Sequence, residues 1–177
     1  MATDPSTGLQ GIDPGVWEQL AKAINEHKQD GEPGTTTAEE LKQHYIAEAQ
    51  RFEDQGVTPP EVTRRLSGEA DKWDPWEIRI IGPVSVYGGL EFSGGENWVA
   101  RAEAGIKLSG KVIWSEGFNL NPKLNSISWE KSLGVVWGKL TVGIYGDNKC
   151  LTVSGEGCYW WGKWRCAGFN ETLGCFG

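Results

Sequence analysis

The segment Cys158-Tyr159-Trp160-Trp161-Gly162-Lys163-Trp164-Arg165-Cys166 gathers three tryptophans, a tyrosine and two cations between two cysteines. Aromatic faces stack on sugar rings, and Tyr or Trp beside Lys or Arg also suits a lipid headgroup or a protein surface. Read as one strand, the segment places Cys158, Trp160, Trp164 and Cys166 on one face. Tyr159, Trp161, Lys163 and Arg165 fall on the other. Assigning the cysteine face to the core leaves Tyr159, Trp161, Lys163 and Arg165 as the ligand-binding candidates. In the competing reading Trp161 covers a hydrophobic gap and the two cations only solvate the strand.

The cysteines offer chemistry of their own. Cys150, Cys158, Cys166 and Cys175 all fall in the last 28 residues, spaced by 8, 8 and 9. An even cluster is consistent with two disulfides, for which three pairings exist, or with four reduced thiols packed as small apolar groups. With no C-x-x-C and no histidine nearby, a structural zinc site is not expected. No cofactor and no metal is implied.

Catalytic constellations are scarce. The two histidines, His27 and His44, fall in helix-patterned sequence, far from any β-region nucleophile. There is no G-x-S-x-G, P-loop, dinucleotide fingerprint or H-E-x-x-H. One enzymatic route remains, a carboxylate pair on a β-sandwich as in glycoside hydrolases. Its acids would be Glu103, Glu116, Glu130 and Glu156, which are scattered singly and read equally well as solvated strand residues.

These residues need a scaffold, and the chain changes character near Trp73-Asp74-Pro75-Trp76. From Trp73 onward come nine of ten tryptophans, all four cysteines and 18 of 25 glycines. Before that point, Asp13-Pro14 predicts a helix start, with Val16, Trp17, Leu20, Ala23, Ile24 and His27 recurring along one side. Gly31-Glu32-Pro33-Gly34 is the predicted stop. Thr37-Ala38-Glu39-Glu40 is a capping box opening a second helix to about Asp54, with Leu41, Tyr45, Ala49 and Phe52 on one face. Thr58-Pro59-Pro60-Glu61 predicts a third helix toward Trp73, although Gly68 weakens its middle.

After Glu77 the apolar period becomes two. Ala100, Ala102, Ala104 and Ile106 oppose Val99, Arg101, Glu103 and Lys107 across one strand, and a turn is predicted at Gly146-Asp147-Asn148. Trp98, Trp114, Trp129 and Trp137 are expected in the core. Ser93-Gly94-Gly95-Glu96, Trp114-Ser115-Glu116-Gly117 and Ser154-Gly155-Glu156-Gly157 read as repeated hairpin-turn chemistry. The fold class predicted is mainly β, an antiparallel β-barrel or β-sandwich of about eight strands after two or three short α-helices. The division expected is 1–74 as acidic arm and helices and 75–177 as the Trp/Gly-rich β domain.

Charge narrows the partners. Residues 1–74 carry a net charge of −8 and residues 75–177 a net of +1, giving −7 in total. That balance disfavours nucleic acid, which is held by basic surfaces. Met1–Ser6 lacks the features of a secretory signal, and no apolar run reaches transmembrane length. The cysteine cluster is nonetheless compatible with export to an oxidising compartment.

From Trp114 onward, the strand order bears a slight resemblance to the compact β-barrels of rhodococcal virulence-associated proteins. It rests on Gly138 to Ile144, a Gly/Asp turn and a Gly-rich last hairpin, and no functional residue carries over from it. The leading expectation is a non-enzymatic binding protein, an effector or toxin-like module whose Trp-rich β surface engages a glycan, a lipid surface or a protein. A self-assembling coat, filament or particle subunit is the second, and a carboxylate hydrolase the third.

Overall fold

A computed structural model describes residues 8–27, 35–56 and 58–176. Two helices, α1 (Gly15–Glu26) and α2 (Ala38–Gln55), precede nine strands. The strands are β1 (Glu61–Arg64), β2 (Trp73–Ile81), β3 (Val84–Ser93), β4 (Val99–Leu108), β5 (Lys111–Leu120), β6 (Ser126–Ser132), β7 (Val136–Tyr145), β8 (Cys150–Trp160) and β9 (Trp164–Cys175). They form two antiparallel meanders, β1-β2-β3-β4-β5 and β6-β7-β8-β9. The sheets do not close on each other, so the architecture is a sandwich and not a barrel, unlike the barrel that the resemblance implied. No described helix is long and apolar enough to cross a membrane.

Period-two patterning builds the interior. On β4, Ala100, Ala102, Ala104 and Ile106 are buried while Val99 and Arg101 face outward. Glycines let the sheets approach: Ile80 of β2 packs on Gly157 of β8, and Ile106 of β4 on Gly138 of β7. A Cβ at either glycine would lie only 3.0 Å from the facing isoleucine. The β5–β6 side is closed by Trp129, which meets Trp114 and Phe118 edge-on at 5.7 and 4.9 Å. Trp137 departs from the expected core position. It stands half-buried on the outer face of its sheet, its indole N–H donating to Glu130 at 3.3 Å.

Both predicted helix starts are present. The Asp13 carboxylate accepts from the Gly15 N–H at 2.9 Å, and the Thr37 hydroxyl accepts from the Glu40 N–H at 3.1 Å. The α2 helix ends at Gly56, whose φ of 86° suits a residue without Cβ. The predicted stop of α1 at Gly31–Gly34 lies outside the described residues. Together the helices plug one open end of the sandwich, burying Trp17, Leu20, Ile24, Leu41 and Tyr45 over the hairpin tips. Each such side chain contributes about 1.5–3 kcal/mol when taken from water.

The third predicted helix does not form. Glu61–Arg64 is instead a strand paired antiparallel with β2. Its β-branched Val62-Thr63 after two prolines suits an extended chain, and Gly68 and Asp71 adopt positive φ, 81° and 62°, which interrupts a right-handed helix. The segment that follows crosses to the other sheet, where the Leu66 N–H donates to the Leu173 carbonyl at 3.2 Å. Asp74, buried, holds this crossing by accepting from the Ser67 N–H, the Ser67 hydroxyl and the Gly68 N–H at 2.8, 3.1 and 2.9 Å. Of the three turn-like Ser/Gly/Glu tetrads only Ser93–Glu96 is a hairpin turn. The other two lie within β5 and β8.

Candidate functional site

The cysteines pair as Cys150–Cys175 and Cys158–Cys166, each bridging β8 and β9 at directly opposed positions. No cysteine is free. The Glu156 carboxylate lies beside the second bridge, but oxidised sulfur offers no thiolate to a metal.

The face expected inside on this hairpin points outward. Trp160 and Trp164 flank the Cys158–Cys166 bridge on the outer surface, with rings edge-on at 5.3 Å and Trp164 41% exposed. Tyr159, one of the expected ligand contacts, is only 3% exposed, with its ring against Gly82 at the β2–β3 turn. Its hydroxyl donates to Glu53 of α2 at 3.0 Å, and Arg165 lies 3.2 Å from the same carboxylate. Burial and then the Glu53 carboxylate push the Tyr159 hydroxyl up from its ordinary value. Trp161 lies in the tight turn after β8, 9% exposed beneath Gly8 and close to Tyr45. Lys163 alone of the four is exposed, and its ammonium has no bonded partner among the described residues. Tyr159, Trp161 and Arg165 thus anchor the hairpin tip to the helical plug and do not form an open platform. Their burial has a simple cause: a sandwich end must be covered, and the tip residues meet the cover.

Sequence reasoning missed a different set of residues, on the outer face of the five-stranded sheet. Antiparallel register brings Glu77, Tyr87, Gly105 and Ser115 into one row across β2 to β5, and Pro75, Gly89, Glu103 and Gly117 into the next. The glycines remove side chains from the middle of this face, and aromatic rings lie over two of them. Trp73 is 47% exposed and sits face-on over Gly89, where a Cβ would meet three indole atoms at 2.6 to 2.8 Å. Tyr87 lies over Gly105 in the same manner, at 2.6 Å.

A cavity of about 830 Å³ opens here, with the end of α1 and Thr36 as its end wall. A more open hollow of about 420 Å³ continues past Trp73 toward Asn119. Trp73 and Glu103 line both, so the two make one trough along the strands.

Polar groups in the trough are held in place. Lys107 donates to Glu77 at 2.5 Å while the Thr63 hydroxyl donates to the other Glu77 oxygen at 3.2 Å. The Tyr87 hydroxyl donates to Glu103 at 3.4 Å, and the Lys107 ammonium stands 5.1 Å from the Tyr87 ring centre. Burial, then the Glu103 carboxylate, pushes the Tyr87 hydroxyl up to about 12. Among the expected acids, only Glu103 enters the trough. Glu116 is exposed on β5, and Glu130 and Glu156 flank Lys139 on the outer face of the other sheet.

A stacking surface with carboxylates and an ammonium at its edge can hold a ring bearing hydroxyl groups: the ring's C–H face meets indole, and its hydroxyls donate to Glu and accept from Lys. The fold and this trough define the class: an antiparallel β-sandwich with a helical plug and an aromatic-lined outer groove. No protein-family model matches the chain, and neither curated proteins nor solved structures give a significant match.

Proposed function

We propose that the protein is a non-enzymatic glycan-binding module and that the trough across β2 to β5 is its site. The observation that carries this reading is Trp73, with its indole packed on Gly89 and the ring half open to solvent in a trough that Glu77 and Glu103 also line. Backing by a glycine strand fixes the ring without covering it, so little ordering entropy is lost on stacking. Co-sedimentation with insoluble polysaccharides, beside a protein-alone control, tests the reading. Pelleting with a polysaccharide that is lost in Trp73→Ala, with an unchanged unfolding midpoint, is the expected result. Binding that survives Trp73→Ala removes this site, and pelleting of the protein alone replaces the reading by self-assembly.

A second reading has its own observation, two carboxylates in one trough flanking Tyr87. A glycoside hydrolase would use such a pair. Turnover of the bound glycan, abolished in both Glu77→Gln and Glu103→Gln, would put hydrolysis in place of binding alone.

A further inference from the structure

We infer that the trough takes an internal stretch of a linear, acid-bearing glycan and not a neutral chain or a single sugar. This rests on the glycan-binding reading and adds two properties to it, length and charge.

Length follows from continuity. The two hollows join at Trp73 and Glu103, and their lining on β5 runs from Lys111 to Asn119. Those strand residues cover roughly 25 Å at about 3.3 Å per residue. That distance exceeds one sugar ring several-fold. Trp73 stands at the junction of the two hollows, so a ring stacked on it has further trough on both sides. A ligand filling the trough is read along its middle.

Charge follows from the lining. Among the described residues, Arg64, Arg101, Lys107 and Lys111 line the trough against only Glu77 and Glu103. The chain as a whole carries 24 acids and 17 bases, so this surface reverses the protein's own sign. Lys107 and Glu77 neutralise each other, and Arg101 pairs with Glu91 at 2.7 Å. Arg64 and Lys111 have no ion-pair partner among the described residues, and both line the wider end. Two cations without ion-pair partners, one on each edge strand of the sheet and both lining the larger hollow, complement carboxylates carried on a saccharide that stacks on the floor between them. Glu103, whose one bonded neighbour among the described residues is the Tyr87 hydroxyl, meets the hydroxyl groups of the ring at Trp73.

Calorimetric titration of the full chain with defined oligosaccharides tests this. The acidic probes are hexasaccharides of galacturonate, mannuronate and hyaluronan, with the matching disaccharides. The neutral probes are hexasaccharides of glucose, mannose and xylose. The expected result is an acidic hexasaccharide bound at least about tenfold tighter than its disaccharide and than any neutral hexamer. Its affinity should fall as salt rises. The double variant Arg64→Gln/Lys111→Gln should lose about tenfold on that ligand, while Trp73→Ala weakens it too. A neutral hexasaccharide bound more tightly than every acidic one, in a Trp73-dependent manner, overturns the acidic assignment and leaves glycan binding standing. A disaccharide bound as tightly as the hexamer overturns the internal-stretch assignment. Failure of every saccharide here and of every polysaccharide in the sedimentation test overturns both readings.

Discussion

The Tyr45 hydroxyl, on α2, donates to the main-chain carbonyl of Trp160 at the end of β8, 115 residues further along the chain. Tyr45 is fully buried, and the same hydroxyl lies 3.5 Å from the Val135 carbonyl at the β6–β7 turn. One phenol thus ties the helical plug to two hairpin tips of the four-stranded sheet. Burial drives its hydroxyl up from the ordinary tyrosine value and keeps it a donor.

Removing that donor leaves the partly buried Trp160 carbonyl without it while keeping the ring in place. Tyr45→Phe should therefore cost about 1–3 kcal/mol, read as a lower urea midpoint at unchanged slope. A stability equal to the native protein would show that Trp160 finds water or another donor instead.

The bed beneath Trp73 gives a prediction about binding in which stability is nearly spared. In Gly89→Ala the new methyl meets the indole, which can swing into solvent. Unfolding should shift by no more than about 1 kcal/mol. Affinity for the bound glycan should fall about tenfold, close to the loss in Trp73→Ala. Equal affinity with a displaced ring would remove the stacking role.

The two disulfides should differ in weight. Cys150–Cys175 spans 25 positions and Cys158–Cys166 only 8. Loop-closure entropy assigns about 3.5 kcal/mol to the longer link and about 2.5 kcal/mol to the shorter. Replacing Cys150 and Cys175 by Ser should lower stability by about 1 kcal/mol more than replacing Cys158 and Cys166, measured by urea unfolding. The reverse order would mean that the shorter bridge does more for the hairpin tip than close a loop.

Alkaline titration probes the trough without a ligand. Tyr87 is raised from 10.0 to about 12, so in the folded protein it keeps its proton where the unfolded chain has lost it. The stability from this difference is complete below pH 10 and is lost as pH rises toward about 12. Tyrosinate absorbance of the native protein should show no Tyr87 component near pH 10, and Tyr87→Phe should remove absorbance only at the high end. A step near pH 10 that vanishes in Tyr87→Phe would contradict the burial of this hydroxyl.

Several elements are legible in the linear chain. Asp13 and the Thr37–Glu40 box mark both helix starts because capping is local, with partners within three residues. Alternation on β4 gives its inner and outer faces for the same reason. The facing of the last hairpin is also carried by alternation, though faintly. Leu151 and Val153 are buried, and period two extends that parity through Gly155 and Gly157 to Tyr159, leaving Cys158 and Trp160 on the opposite face, where Trp160 is half-buried and the Cys158 sulfur is covered within its bridge. Glycines in the intervening positions blank the pattern, so the tryptophans read as inward when taken by themselves. The false helix before Trp73 has a similar origin, since Val62, Leu66 and Ala70 fit a helical stripe while the chain runs extended.

Neighbours a few residues apart are enough to set the element types, the strand-rich region after two helices, and the alternation that makes each sheet two-faced. What stands together is settled by contacts between distant segments. Glu77, Tyr87, Glu103 and Ser115 come from four strands, and the register of three hairpins sets them side by side. A shift of one residue in any of those hairpins would turn that strand's trough residues inward, which is why the linear chain offers Glu103 as a lone candidate acid and not the row of residues it joins. The pairing of cysteines and the burial of Tyr159 and Trp161 under the helices belong to the same level. They arise because an open sandwich end exposes apolar surface that only a distant segment of the chain can cover.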